Sequence, residues 1–331
     1  MNGKKKEDIV TPHDRYFKTN MQNPKRAASF LKSYVPEEMA SNIDLDNLML
    51  MPGSFIDKRM KILQTDLLFK TTYLQREAYV YFLYEHKSYP DKKTGLQLLK
   101  YMLAVWERLF SDKEDSKLPV IIPVLMYHGY YAWPYGNDIG HLFCDPSVLS
   151  EEEKAHIPSF RFHVYDFSVK AKPEIKGDLI IQMFLHGLQV AFVPEKEVAD
   201  LIKKILLLSE EERSRGIKEF IDSLIVYIMN VKDDWQVEDL LDIADEVTDE
   251  RRSDIMTIAE KLRQEGMQKG MQKGMQKGME KGMEKGIKKT ANNLILMGMP
   301  DADIAKATGL TMAEIQKLKK EAKTQSDSKK R

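Results

Sequence analysis

At 331 residues, 43% hydrophobic and 31% charged, the chain has the composition of a soluble globular protein with room for one large domain or two modest ones. Apolar runs such as residues 118–127 fall short of the eighteen or so residues a membrane helix needs, and the charged start "MNGKKKEDIV" lacks the apolar stretch of a secretory signal. The lone Cys144 excludes an internal disulfide and a cysteine metal cluster, so a cytoplasmic protein with no membrane partner is expected.

The formal net charge of zero hides an asymmetry: residues 261–331 carry 17 Lys and Arg against 8 Asp and Glu, leaving residues 1–260 at −9. A basic tail on an acidic body suits an anionic partner, nucleic acid first, and equally suits a solvated tail that maintains solubility.

In chain order, "TPHDRYFKTNMQNPKRAASFLKSYVP" predicts helix from about Pro12 to Tyr34 with a break at Pro24, its apolar residues recurring at helical spacing. Residues 47–56 predict a short strand interrupted by Pro52 and Gly53. Residues 61–73 and 77–87 are rich in β-formers, and the few residues between them are of hairpin length, so an antiparallel pair is expected. A helix follows from about Thr94 to Phe110, then a strand at 118–129 apolar enough to be buried on both faces, then another at 160–169. From about Glu174 to Arg263 the pattern is helical throughout. The core is therefore α/β.

The strand "YFLYEHK" runs from an apolar stretch straight into charge. Glu85 and Lys87, two apart, point to one face of a strand, and Asp66 on the preceding strand falls almost opposite if the hairpin turns near residues 74–76. Two carboxylates and a backbone carbonyl, that of His86, form an all-oxygen donor set suited to Mg²⁺ or another divalent ion such as Mn²⁺ or Ca²⁺, with Lys87 placed to orient water or balance charge. Gln97 and Tyr101, four apart on the next helix, add a water-positioning amide and a phenol. Without further context the same charges also suit a surface ion-pair ladder across a hairpin.

A strand Asp followed by Glu-X-Lys on the next strand, in αβββαβ order, resembles the PD-(D/E)XK nuclease signature, and Gln97-X-X-X-Tyr101 resembles the extra motif of its RecB-like branch. "HDRYFK" (13–18), "SFIDKRM" (54–60), "TDLLF" (65–69), "YEHKSYPD" (84–91), "LLKYM" (98–102), "LPVIIPVLMYHG" (118–129) and the Gly-Met-rich tail, in that order, resemble the Rpn recombination-promoting nucleases, also labelled PD-(D/E)XK transposases. The resemblance implies a restriction-endonuclease-like αβββαβ core and metal-dependent DNA cleavage linked to recombination or mobile elements. Asp66, Glu85, Lys87, Gln97 and Tyr101 would then be catalytic, with Asp66, Glu85 and the His86 carbonyl on the metal. Lys87 is the residue of the broader superfamily at a position where Rpn members often carry Gln.

Other residues have two readings each. Asp57 suits metal or substrate contact or a turn, and Asp14 suits a donated acid or a helix cap. His128 ends a buried strand and reads first as a core histidine. Trp133, Tyr130, Tyr131 and Tyr135 can stack on bases or close a core edge.

The tail opens with glycines at 266, 270, 274, 278, 282 and 286 in a four-residue Gly-Met repeat. As a helix it loses about 6 kcal/mol relative to alanine, and its methionines drift about 40° per repeat, so it gains no fixed apolar face. A marginal helix that orders against a partner and a flexible tether both remain open. "DADIAKATGLTMAEIQKL" then resembles a helix-turn-helix: Ala305 where helices cross, Gly309 at the turn, Ile315 as anchor, and a Thr311–Glu314 capping box. Gln316, Lys317, Lys319 and Lys320 are its candidate DNA contacts. The expected divisions are a nuclease-like domain at 1–173, a helical region at 174–263, the repeat at 264–289, the helix-turn-helix-like segment at 290–324 and a polar end at 325–331. The helical region suits either a dimerisation lobe or a DNA clamp, and a homodimer would form through it or the repeat.

Overall fold

The computed structural model describes residues 11–52, 66–85, 90–112, 117–143, 145–211 and 216–328. Thr11 caps the first helix, α1 (Pro12–Met21), through a capping box with Asp14, and Pro12 occupies the first turn, where its missing N–H costs nothing. The expected break falls where Asn23 caps a new helix, α2 (Pro24–Tyr34), again with proline leading. A short α3 (Glu37–Ala40) leads into the sheet.

The strands are β1 (Met49–Leu50), β2 (Leu67–Tyr73) and β3 (Arg76–Glu85), then, after α4 (Thr94–Asp112), β4 (Val120–Tyr127) and, after a short α5 (Glu151–Lys154), β5 (His163–Asp166). They form one five-stranded sheet in the order β1-β2-β3-β4-β5, the first three antiparallel and the last two parallel to β3. The 47–56 segment contributes only the two residues of β1. The β2–β3 hairpin turns on Leu74 and Gln75, both with positive φ (49° and 61°), the twist a two-residue hairpin needs. Pro123 lies one residue before β5 begins to pair with β4, where a missing N–H is tolerated.

Both faces of the sheet are covered. Tyr79, Tyr81 and Leu83 of β3 share a core with Leu98, Tyr101, Met102 and Val105 of α4. The alternate residues pack the other way: Tyr84 stacks on Phe17 of α1 at 4.2 Å, and Phe82 meets Phe30 of α2 edge-on.

Behind α1 and α2 on that side pack helices α6 (Leu179–Val190), α7 (Glu195–Glu211), α8 (Ile217–Val231) and α9 (Val237–Asp245), α6 against α2, α8 against α1 and α6, α7 against α6 and α9 against α7. The first helix of this group starts at Leu179, not near Glu174, because Gly177 at φ +108° turns the chain and Asp178 caps the new helix. Tyr16 of α1 stacks on Tyr227 of α8 at 4.4 Å. The described residues up to Ala259 belong to one compact unit and those from Glu260 onward to a second, with α10 (Asp249–Leu296) running through the boundary.

The repeat is therefore helical within α10, its methionines 61–75% exposed from Met267 to Met283. Beyond it, α11 (Asp301–Thr308) ends at Gly309 in the left-handed region (φ 72°), and α12 (Met312–Ser328) follows. Ala291, Ile304, Ile315 and Leu318 form a small core there, and the Thr311–Glu314 capping box is made. Among the described residues no helix is long and apolar enough to cross a membrane.

Candidate active site

The hairpin register fixes where the acids stand. Leu67 pairs with Phe82, so Asp66, one residue earlier, stands level with Leu83. Glu85 closes β3 two positions further along the same alternation. The two acidic positions thus belong to one face but are offset by about 7 Å along the strand, not level as the hairpin count suggested.

Asp66 is only 9% exposed, and a buried carboxylate needs a donor. Tyr81 supplies it: its hydroxyl donates to Asp66 Oδ2 at 2.6 Å. Burial, first, and then the adjacent carboxylate push the Tyr81 phenol well above its ordinary range, so it remains a protonated donor. The Tyr101 ring packs against that of Tyr81, with centroids 5.6 Å apart, and Gln97 lies half-buried one turn earlier on α4. Asp66, Tyr81 and Tyr101 are thereby brought to one side of the sheet, beside the end of the strand that carries Glu85. The Glu85 side chain and residues His86, Lys87 and Asp57 lie outside what the structure describes. Among the described residues no group of three or more His, Cys, Asp or Glu is placed to hold a metal ion.

Tyr81 is not among the residues the motif spacing singles out, although the sequence carries a signal for it. Once the turn is centred on Leu74 and Gln75, Tyr81 falls diagonally across from Asp66 on the same face.

Several candidates belong elsewhere. Asp14 closes the α1 capping box, accepting from the Thr11 N–H at 3.2 Å, and α1 covers the opposite face of the sheet from Asp66. His128 is 1% exposed, with Nε2 on the Leu188 carbonyl and Nδ1 within 3.2 Å of the Tyr84 hydroxyl, a satisfied core histidine. Trp133 packs on the α4 side of the core, its ring nitrogen donating to the Gly136 carbonyl at 2.7 Å. Tyr130 lies edge-on to Tyr131 and under the Lys170 ammonium, and Tyr135 stacks on His141.

In the tail, Gln316 donates to Asp301 Oδ2 at 2.7 Å and Lys319 pairs with the same carboxylate, while Lys317 and Lys320 are exposed. Gln316 and Lys319 are thus held within the helical unit itself.

A family model described as "Putative transposase, YhgA-like" matches residues 11–218. Recombination-promoting nuclease RpnA of Escherichia coli K12 is 28% identical over 313 residues, covering 94% of this chain and 98% of the relative. RpnC of the same strain, also a recombination-promoting nuclease, is 31% identical over 312 residues, 93% of this chain and 97% of its own length. A third relative from that strain, RpnE, 27% identical and covering 77% of this chain and 83% of its own, is named an inactive recombination-promoting nuclease-like protein. No solved structure matches. The matched stretch contains the hairpin and α4 in full, and the chain belongs to the YhgA-like transposase family, alongside the recombination-promoting nucleases.

Proposed function

We propose that this chain is a divalent-metal-dependent DNA endonuclease linked to recombination. The relatives' names support a nuclease, and the restriction-endonuclease-like PD-(D/E)XK reading fits the element order and mixed sheet. The observation that carries the proposal is the Asp66–Tyr81 pair beside the end of the Glu85 strand.

The donor chemistry fits the metal: Asp66 is a hard oxygen ligand, held in a site whose described neighbours are phenols and aliphatic groups, with no thiol or imidazole among the proposed ligands. Asp66, Glu85 and the His86 carbonyl would hold Mg²⁺, with Mn²⁺ or Ca²⁺ as alternatives. When bound, the ion polarises a phosphodiester and eases deprotonation of water. Tyr81 fixes the direction of the Asp66 carboxylate. Lys87 orients water or balances charge at the phosphate, and Gln97 and Tyr101 support the site from α4. Asp57 is the remaining acid of second rank. In the tail, Gln316 and Lys319 reach phosphate by exchanging Asp301 for it, beside the exposed Lys317 and Lys320.

The test is nicking of supercoiled plasmid in Mg²⁺ by wild type beside Asp66→Asn and Glu85→Ala. Each variant should lose more than about a hundredfold in rate while retaining its circular dichroism. Cleavage persisting in clean preparations of both variants overturns the assignment. Comparison of linear with covalently closed substrate separates an endonuclease from a RecB-like exonuclease.

The relative named inactive favours a second reading, a DNA-binding or assembly protein with little cleavage that acts through its basic tail. Truncation after Leu262 should then weaken a gel shift sharply, and only partly if the first unit itself grips DNA.

A further inference from the structure

α4 has a second face. Its sheet side buries Leu98 and Val105 completely. Along the outside, Leu96, Leu103 and Phe110 recur every seven residues at 49%, 49% and 50% exposure. Leu99 and Trp106 lie half-buried between them. Leu96, Leu99, Leu103, Trp106 and Phe110 therefore occupy successive a and d positions of two heptads, the pattern that seats one helix on another. Large apolar side chains in a continuous line on a surface mark a contact, and here the pattern specifies a helical partner.

We propose that this seam docks a second copy of the same chain, α4 against α4, antiparallel. The argument for a second copy is charge complementarity. Lys100 and Glu107, both exposed, flank the seam seven residues apart. In an antiparallel pair centred between residues 104 and 105, Leu103 meets Trp106 of the second copy and Leu99 meets its Phe110. The same register sets Lys100 of each copy beside Glu107 of the other, twice, by symmetry. A parallel pair would instead set Lys100 and Glu107 against Gly95 and Met102, with no charge to answer them. Two heptads are too short for a free coiled coil, but α4 is already fixed on the sheet, so docking carries no cost of ordering the helix. This surface is distinct from the helical region and the repeat, and the inference stands independently of the nuclease reading.

The experiment is sedimentation and light scattering of the full chain at micromolar concentration. The wild type should assemble as a dimer or a multiple of one. Leu103→Glu, at an exposed position, should halve the assembled mass with unchanged circular dichroism and melting. Lys100→Glu and Glu107→Lys should each weaken self-association at least about tenfold, and the double swap should restore it. If Leu103→Glu fails to fold, the charge pair carries the test alone. A wild type at single-chain mass, an assembled mass indifferent to Leu103→Glu, or a double swap no tighter than either single change overturns the proposal.

Discussion

Glycine shows how differently the two units are built. In α6, Gly187 lies directly under Tyr16 and Leu224: a Cβ there would meet the Tyr16 hydroxyl and come within 2.9 Å of Leu224 Cδ1. In α10, a Cβ on any glycine of the repeat would meet nothing within 4 Å. The first glycine exists because two helices must approach one another. The repeat glycines weaken a helix that has no such neighbour in the described structure. The same residue thus marks close helix packing at Gly187 and, along the repeat, a helix with open space around its glycines.

The largest expected effect that sharpens this contrast is a pH effect on the first unit. Burial, with help from Lys204, lowers His186 to about 4. Its folded pKa lies below its unfolded value near 6.5, so the unfolded state takes the proton first. Stability from this group is complete above pH 6.5 and is lost as pH falls towards 4, by up to roughly 3 kcal/mol. Urea titrations at pH 7 and 4.5 should show that loss in wild type and much less of it in His186→Gln.

Next is Gly187→Ala, which should destabilise the first unit by about 2 kcal/mol through overpacking, with part recovered in combination with Tyr16→Phe. Denaturant midpoints of both variants measure it. The smallest effect has the opposite sign. Each of Gly270→Ala, Gly274→Ala and Gly278→Ala should strengthen the repeat helix by about 1 kcal/mol, read as slower amide exchange along α10. A destabilising alanine in the repeat would mean that the segment is packed after all, and the contrast would fail.

Legibility in the sequence followed the same division. Local chemistry was readable: the Asn23–Pro24 restart, the short hairpin, and the Thr311–Glu314 box all follow from neighbours within four residues. The apolar β4 was readable because a strand buried on both faces leaves a continuous run. What depended on distant partners was harder to see. Alternation places Asp66 and Glu85 on one face, but their two-residue offset and the Tyr81 hydroxyl needed the turn located to the residue. The helical period of each segment is legible, but that α1 and α2 cover the sheet and that α6 and α8 pack behind them is not carried by any one segment's pattern. The repeat was ambiguous for a different reason: propensity opposes the helix and no apolar face supports it, so helix and coil differ by little.

The pairing of α1 with α8 also bears on how the chain is made. His13 lies 2.8 Å from the Tyr227 hydroxyl, 214 residues later. At translation rates of about 5–20 residues per second, the ribosome takes roughly 10–40 s to deliver the second partner after the first. Until Phe184 of α6 is delivered, Tyr16 and Phe17 have no mate on the helical side, and Tyr227 follows only 43 residues later. The nascent N-terminal helix is therefore the segment a chaperone would be expected to hold, and the first unit acquires its final cooperativity late in synthesis.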